Sequence, residues 1–134
     1  RPENMLDEKV IGEMPPWSLV RTLVPSVSRA RVFFARTKAI KAILTAQVAL
    51  EIYRNEKKSY PQKLDQLKGI LDEIPIDPFT NHPLKYKRTE NGYVVYSVNY
   101  NLVDDGGEGD LAGWKKDIVG RCPLPKPKPF NPTK

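Results

Sequence analysis

Between Ser26 and Tyr60 the chain contains neither proline nor glycine. A run of that length without a breaker satisfies its backbone most simply as a helix, of roughly seven turns, which Ser26 or Ser28 can cap. At 100° per residue, Val32, Ala35, Ala39, Ala42, Ile43, Ala46, Ala49, Leu50 and Tyr53 fall within one arc of about 120°. That arc is the expected core face, and its alanines let a sheet or second helix approach closely. A second apolar stripe, Phe33, Ile40, Leu44, Val48 and Ile52, is interrupted by Lys41 and Glu51. It is wider than one small sheet needs, so it is expected to meet the amino-terminal arm or another subunit.

Prolines divide the rest. Pro2, Pro15, Pro16 and Pro25 cut residues 1–26 into a short helix over 5–12 and an apolar stretch over 17–24. This arm has no core of its own. It should dock on the domain or reach a partner through Trp17, Leu19, Val20, Leu23 and Val24, docking being the expected outcome. A helix-plus-sheet domain is expected over 27–121 and a Pro/Lys-rich tail over 122–134, polyproline-like from Lys126. A chain of 134 residues suffices for one modest core.

After the long helix, Tyr60-Pro61 opens a shorter one with Leu64, Leu67 and Leu71 inward and Gly69 as its stop. The three prolines of residues 74–83 make a rigid connector that turns near 77–81. A hairpin follows. A two-residue Asn91-Gly92 turn mixes apolar and polar residues on both faces, whereas a three-residue loop with Gly92 left-handed does not. The second is preferred: Leu84, Tyr86, Val94, Tyr96 and Val98 inward, Lys85, Lys87, Val95 and Ser97 outward. The fold class is therefore α+β, a long helix packed on a small antiparallel sheet with a short helix between.

The net charge of +6 is unevenly placed. Arg29, Arg31, Arg36, Lys38 and Lys41 form a basic flank, while Asp104, Asp105, Glu108 and Asp110 lie in a loop that carries Gly106, Gly107 and Gly109. Calcium takes six to eight oxygens from carboxylates, amides, carbonyls and water, and Asn99, Asn101, Asp104, Asp105, Glu108, Asp110 and Asp117 offer such an inventory. An acidic surface turn without an ion is the alternative reading of the same residues.

The order of long helix, Tyr60-Pro61 with Leu64 and Leu67, Ile76-Asp77-Pro78-Phe79, Leu84-Lys85-Tyr86, Tyr96-Ser97-Val98, Gly106-Gly107-Glu108-Gly109 and Asp117-Ile118 resembles the soluble domain of the type II secretion major pseudopilin and related secreted bacterial proteins. The resemblance spans residues 39–119. It implies an extracytoplasmic protein whose loop binds one calcium ion, through a carbonyl falling on Val98, a side chain on Asn101 and a pair on Lys116 and Asp117. Asp117 keeps the family's carboxylate, Asn101 offers an amide oxygen, and Lys116 replaces an anion by a cation. Pseudopilins start with an apolar anchoring helix; here that stretch carries five cations, so it does not span a bilayer and a soluble derivative of the scaffold is expected.

Catalytic chemistry is not expected. His82 is the only histidine, Cys122 the only cysteine, and the Gly-Gly-Glu-Gly run lacks the lysine of a phosphate-binding loop. With Tyr86 and Tyr96 inward, the hairpin lysines have no stacking neighbours, so nucleic acid is an unfavoured partner. The chain starts at Arg1 rather than Met, as a processed or partial product does. The expected function is a non-enzymatic extracytoplasmic structural or assembly subunit, with a calcium-ordered loop and protein partners at the arm and second helix stripe. The runner-up is a basic adaptor for an anionic polymer or acidic protein surface.

Overall fold

The computed structural model describes Glu13, Pro15 and residues 17–126. The short helix expected over 5–12 and the tail from 127 onward lie outside the described residues. The chain divides into two units, Arg1–Ala35 and Arg36–Lys134. One helix, α1 (Leu19–Lys57), contributes to both. It starts seven residues before Ser26, with Pro25 inside it. Pro25 cannot donate to the Arg21 carbonyl one turn back, an interior fault that costs a helix about 3 kcal/mol. Ser28 is not a cap: its hydroxyl donates to the Val24 carbonyl at 2.9 Å, the back-bond of a mid-helix serine. In the first unit none of the described residues is buried.

The second unit has the expected α+β architecture. Ala39, Ile43, Ala46, Ala49 and Leu50 of α1 are buried, and burying side chains such as Ile43 and Leu50 contributes about 1.5–3 kcal/mol each. Below α1 lies a four-stranded sheet of order β3 (Lys85–Arg88), β4 (Tyr93–Ser97), β6 (Asp117–Cys122) and β5 (Gly109–Asp110). It is antiparallel except for the two-residue β5, which pairs parallel with β6 at its edge. Gly120 of β6 sits under the helix, where a Cβ would come within 2.6 Å of the Ile43 side chain. The close approach thus depends on a glycine in the sheet as well as on alanines in the helix.

Between helix and sheet, Leu64–Gly69 forms a 3₁₀ helix rather than a helix beginning at Pro61, and Leu64 and Leu67 point inward as expected. The proline connector contains a small hairpin of its own, β1 (Ile76–Asp77) against β2 (His82–Pro83). Its turn is where expected, with Asn81 left-handed and its N–H bonded to the Asp77 carbonyl at 2.8 Å.

The register of the main hairpin differs from the expected one by a residue. Arg88 pairs with Tyr93 and Tyr86 with Val95, and the loop closes by a bond from the Thr89 N–H to the Gly92 carbonyl at 2.9 Å. Gly92 is not left-handed. It is needed because a Cβ there would strike the backbone carbonyl of Cys122 on β6. The shift exchanges faces along β4, so Tyr93, Val95 and Ser97 join Leu84 and Tyr86 on the helix side. There Tyr60 meets Tyr93 edge-on at 4.9 Å and Tyr86 stacks with Tyr93 at 6.3 Å. Tyr96 is buried on the opposite side of the sheet.

Candidate functional site

What covers that opposite side is the acidic loop. Gly107 lies on the sheet with φ +81°, where a Cβ would stand 2.9 Å from the Val94 side chain and 3.1 Å from the Tyr96 ring. A residue with a side chain cannot occupy that seat unchanged. Gly106 and Gly109 are also at positive φ, so the loop turns where its glycines were expected to turn it.

Four cations surround the loop. Lys85 Nζ pairs with Asp104 at 3.1 Å, and Lys87 Nζ donates to the Gly106 carbonyl at 3.0 Å while standing 5.7 Å from the centre of the Tyr96 ring. Lys116 pairs with Glu108 at 2.6 Å. Arg121 donates to the carbonyls of Gly107 and Gly109, at 3.2 and 2.7 Å. The hairpin lysines therefore hold the loop and are not an open basic surface.

These pairs decide which of the calcium candidates are already engaged. Asp104 accepts the Gly106 N–H at 2.9 Å and the Tyr96 hydroxyl at 3.1 Å. Its carboxyl is held below the usual range by that amide first and by Lys85 and Tyr96 after it. Lys116 lowers the Glu108 carboxyl and is itself raised by it. Asp110 accepts the N–H groups of Ala112 and Gly113. Asn101 is exposed, accepting the Val103 N–H at 3.2 Å and donating to the Lys115 carbonyl at 3.4 Å.

Asp105 and Asp117 are different. Asp117 is fully buried; its Oδ2 accepts the Gly107 N–H at 2.8 Å, and its Oδ1 has no hydrogen-bond partner. Asp105 likewise has a buried Oδ2 without one. Burial pushes the Asp117 carboxyl up from 3.8, the charges of Asp105 and Asp104 add to the rise, and the Gly107 and Asp105 amides oppose it. Among the described residues no three His, Cys, Asp or Glu side chains converge as a metal cluster. Calcium, however, also takes carbonyl and water oxygens, and two buried anionic oxygens without donors suit a hard cation.

The sequence reading places Asn99 among the calcium oxygens and Asp77 in the connector turn, but the structure makes both of them polar anchors of this region. Asn99, fully buried and left-handed, accepts Arg36 at 3.0 Å and the Tyr100 N–H at 2.9 Å, and donates to the carbonyls of Trp114 and Lys116 at 3.3 and 2.8 Å. Asp77, also buried, accepts the Phe79 N–H, the Ser97 hydroxyl and the Val98 N–H at 2.9–3.1 Å. Asp77-Pro78 and the asparagine after β4 were signals for such turns. Arg36, expected in the basic flank, is buried instead and also donates to the Ala112 carbonyl at 3.4 Å.

A second feature lies on α1 away from the sheet. Thr37, Ile40, Leu44, Val48 and Ile52 with Ile70 and Leu71 line an apolar groove of about 590 Å³. His82 is exposed in β2, and Cys122 Sγ accepts the Tyr60 hydroxyl at 3.5 Å. Among the described residues no helix is long and apolar enough to cross a membrane. No protein-family model, curated protein or solved structure matches the chain.

Proposed function

We propose that the chain is a non-catalytic structural or assembly subunit acting outside the cytoplasm, with an acidic loop ordered by one calcium ion at Asp105 and Asp117. The observation that carries this reading is a pair of buried carboxylate oxygens without hydrogen-bond partners, one on Asp105 of the loop that covers the sheet's second face and one on Asp117 at the start of β6. Such a pair is costly in the absence of a counter-charge. Bound calcium supplies that charge and makes the loop's closure depend on extracellular-range ion levels. The extracytoplasmic setting rests on the order of motifs that resembles the secretion pseudopilins. The groove of Leu44, Val48 and Ile52 supports a role in joining other subunits.

The competing reading, a basic adaptor for an anionic polymer or acidic protein, has in its favour that residues 14–50 contain no Asp or Glu. Against it, Lys85 and Lys87 are engaged by the loop.

Thermal unfolding with calcium, magnesium or chelator tests the proposal. At a calcium concentration about a hundredfold above Kd the fold gains about 2.7 kcal/mol, so the melting temperature rises, and chelator reverses it. A melting curve indifferent to calcium and chelator overturns the reading.

A further inference from the structure

Among the described residues of the first unit none is buried. Leu19, Leu23, Val27 and Phe34 are 75, 55, 55 and 66% exposed, and Trp17 just before the helix is 84% exposed. Phe33 is exposed beside Phe34, the two rings meeting edge-on at 6.5 Å. Single exposed apolar residues are ordinary; five on one stretch of helix are not.

Their placement around the axis is ordered. At 100° per residue Leu19, Leu23, Val27, Phe33 and Phe34 occupy one arc of about 120°. Arg29 lies about 40° beyond one edge of that arc and Arg31 about 40° beyond the other. No Asp or Glu occurs from residue 14 to residue 50. An apolar strip bordered on both sides by arginines, with a tryptophan at its end, matches a plane whose interior is apolar and whose rim is anionic. A groove in an acidic protein needs no such two-sided border. Lying along the rim also keeps the cations in the headgroup layer, whereas spanning would bury them.

We propose that residues 17–35 dock on the surface of an anionic lipid bilayer, lying in its plane with Leu19, Leu23, Val27 and Phe34 among the acyl chains and Arg29 and Arg31 on headgroup phosphates. The chain then meets the membrane as a peripheral protein. This does not depend on calcium at Asp105 and Asp117.

The test uses the full chain carrying Trp114→Phe, so that fluorescence reports Trp17 alone. It is mixed with phosphatidylglycerol/phosphatidylcholine vesicles, with phosphatidylcholine vesicles and with polyglutamate, in chelator. Co-sedimentation with the anionic vesicles, a blue shift of Trp17 emission and weakening by salt are expected. Leu23→Glu should lower partition about tenfold or more. Because that change can disturb the helix, Arg29→Gln with Arg31→Gln serves as a second variant: circular dichroism stays unchanged, while the preference for anionic over neutral vesicles falls about tenfold or more. Absence of vesicle binding, equal binding to neutral vesicles, or binding to polyglutamate alone overturns the proposal, the last result assigning the surface to acidic proteins.

Discussion

The guanidinium of Arg36 stacks on the ring of Trp114, its Cζ 4.0 Å from the ring centre. The same group bonds Asn99 and Ala112, so a single side chain of α1 fastens both ends of the segment between β4 and β6. Among the described residues no carboxylate bonds it. Burial lowers its pKa, and electrostatic interactions with Tyr100 and Asp110 oppose the fall. Packing and stacking therefore account for more of its worth than charge does.

Arg36→Met keeps the stem against Trp114 and removes a buried cation. It should cost no more than about 1 kcal/mol. Arg36→Ala removes the packing as well and should cost about 2–4 kcal/mol. Urea unfolding midpoints compare the two, and equal losses would show that charge dominates.

Gly107→Ala should destabilise by about 2–4 kcal/mol, since it combines a left-handed φ with a Cβ pressed on Val94 and Tyr96. Gly69→Ala is the control. Nothing lies within 4 Å of its Cβ position, and the change should stay within about 0.5 kcal/mol. Thermal or urea unfolding of the pair reads the difference, and a neutral Gly107→Ala would mean that the loop does not seat on Tyr96.

Asp117→Asn should stabilise the calcium-free protein at pH 7. Burial raises the Asp117 carboxyl above 3.8, so the fold holds this proton to higher pH than the unfolded chain does. The penalty is absent below about 3.8, enters as pH rises through the folded value, and is complete above it. The advantage of the variant in chelator should therefore shrink as pH falls from 7 to 4. Asp104, shifted the other way, loses its contribution on acidification in both proteins and cancels. A gap in melting temperature that is constant with pH would refute the assignment, and the variant should also lose the calcium response.

How much of this was legible follows from where one residue type had one reading. The alanine face of α1 could be read because polar residues bound it, and Ala39, Ile43, Ala46, Ala49 and Leu50 are buried as the period requires. The hairpin register could not. Tyr93, Val94, Val95 and Tyr96 are apolar without alternation, and choosing the face assumed that one side met water. Both sides are covered, so the criterion had nothing to discriminate. The acidic loop was recognised as a candidate, yet its pairing with Lys85, Lys87, Lys116 and Arg121 depends on which strands adjoin, which local spacing does not state. Arg36 was read with its charged neighbours because its burial comes from residues 63 and more positions away.

Because residues 104–109 roof the sheet, that loop is no ornament to be trimmed or grafted at will. Foreign peptide would be better hosted at the hairpin tip, Glu90 and Asn91, which are exposed. A shortened acidic loop would strip the cover from Tyr96 and Val119, turning a closed layer into an adhesive one.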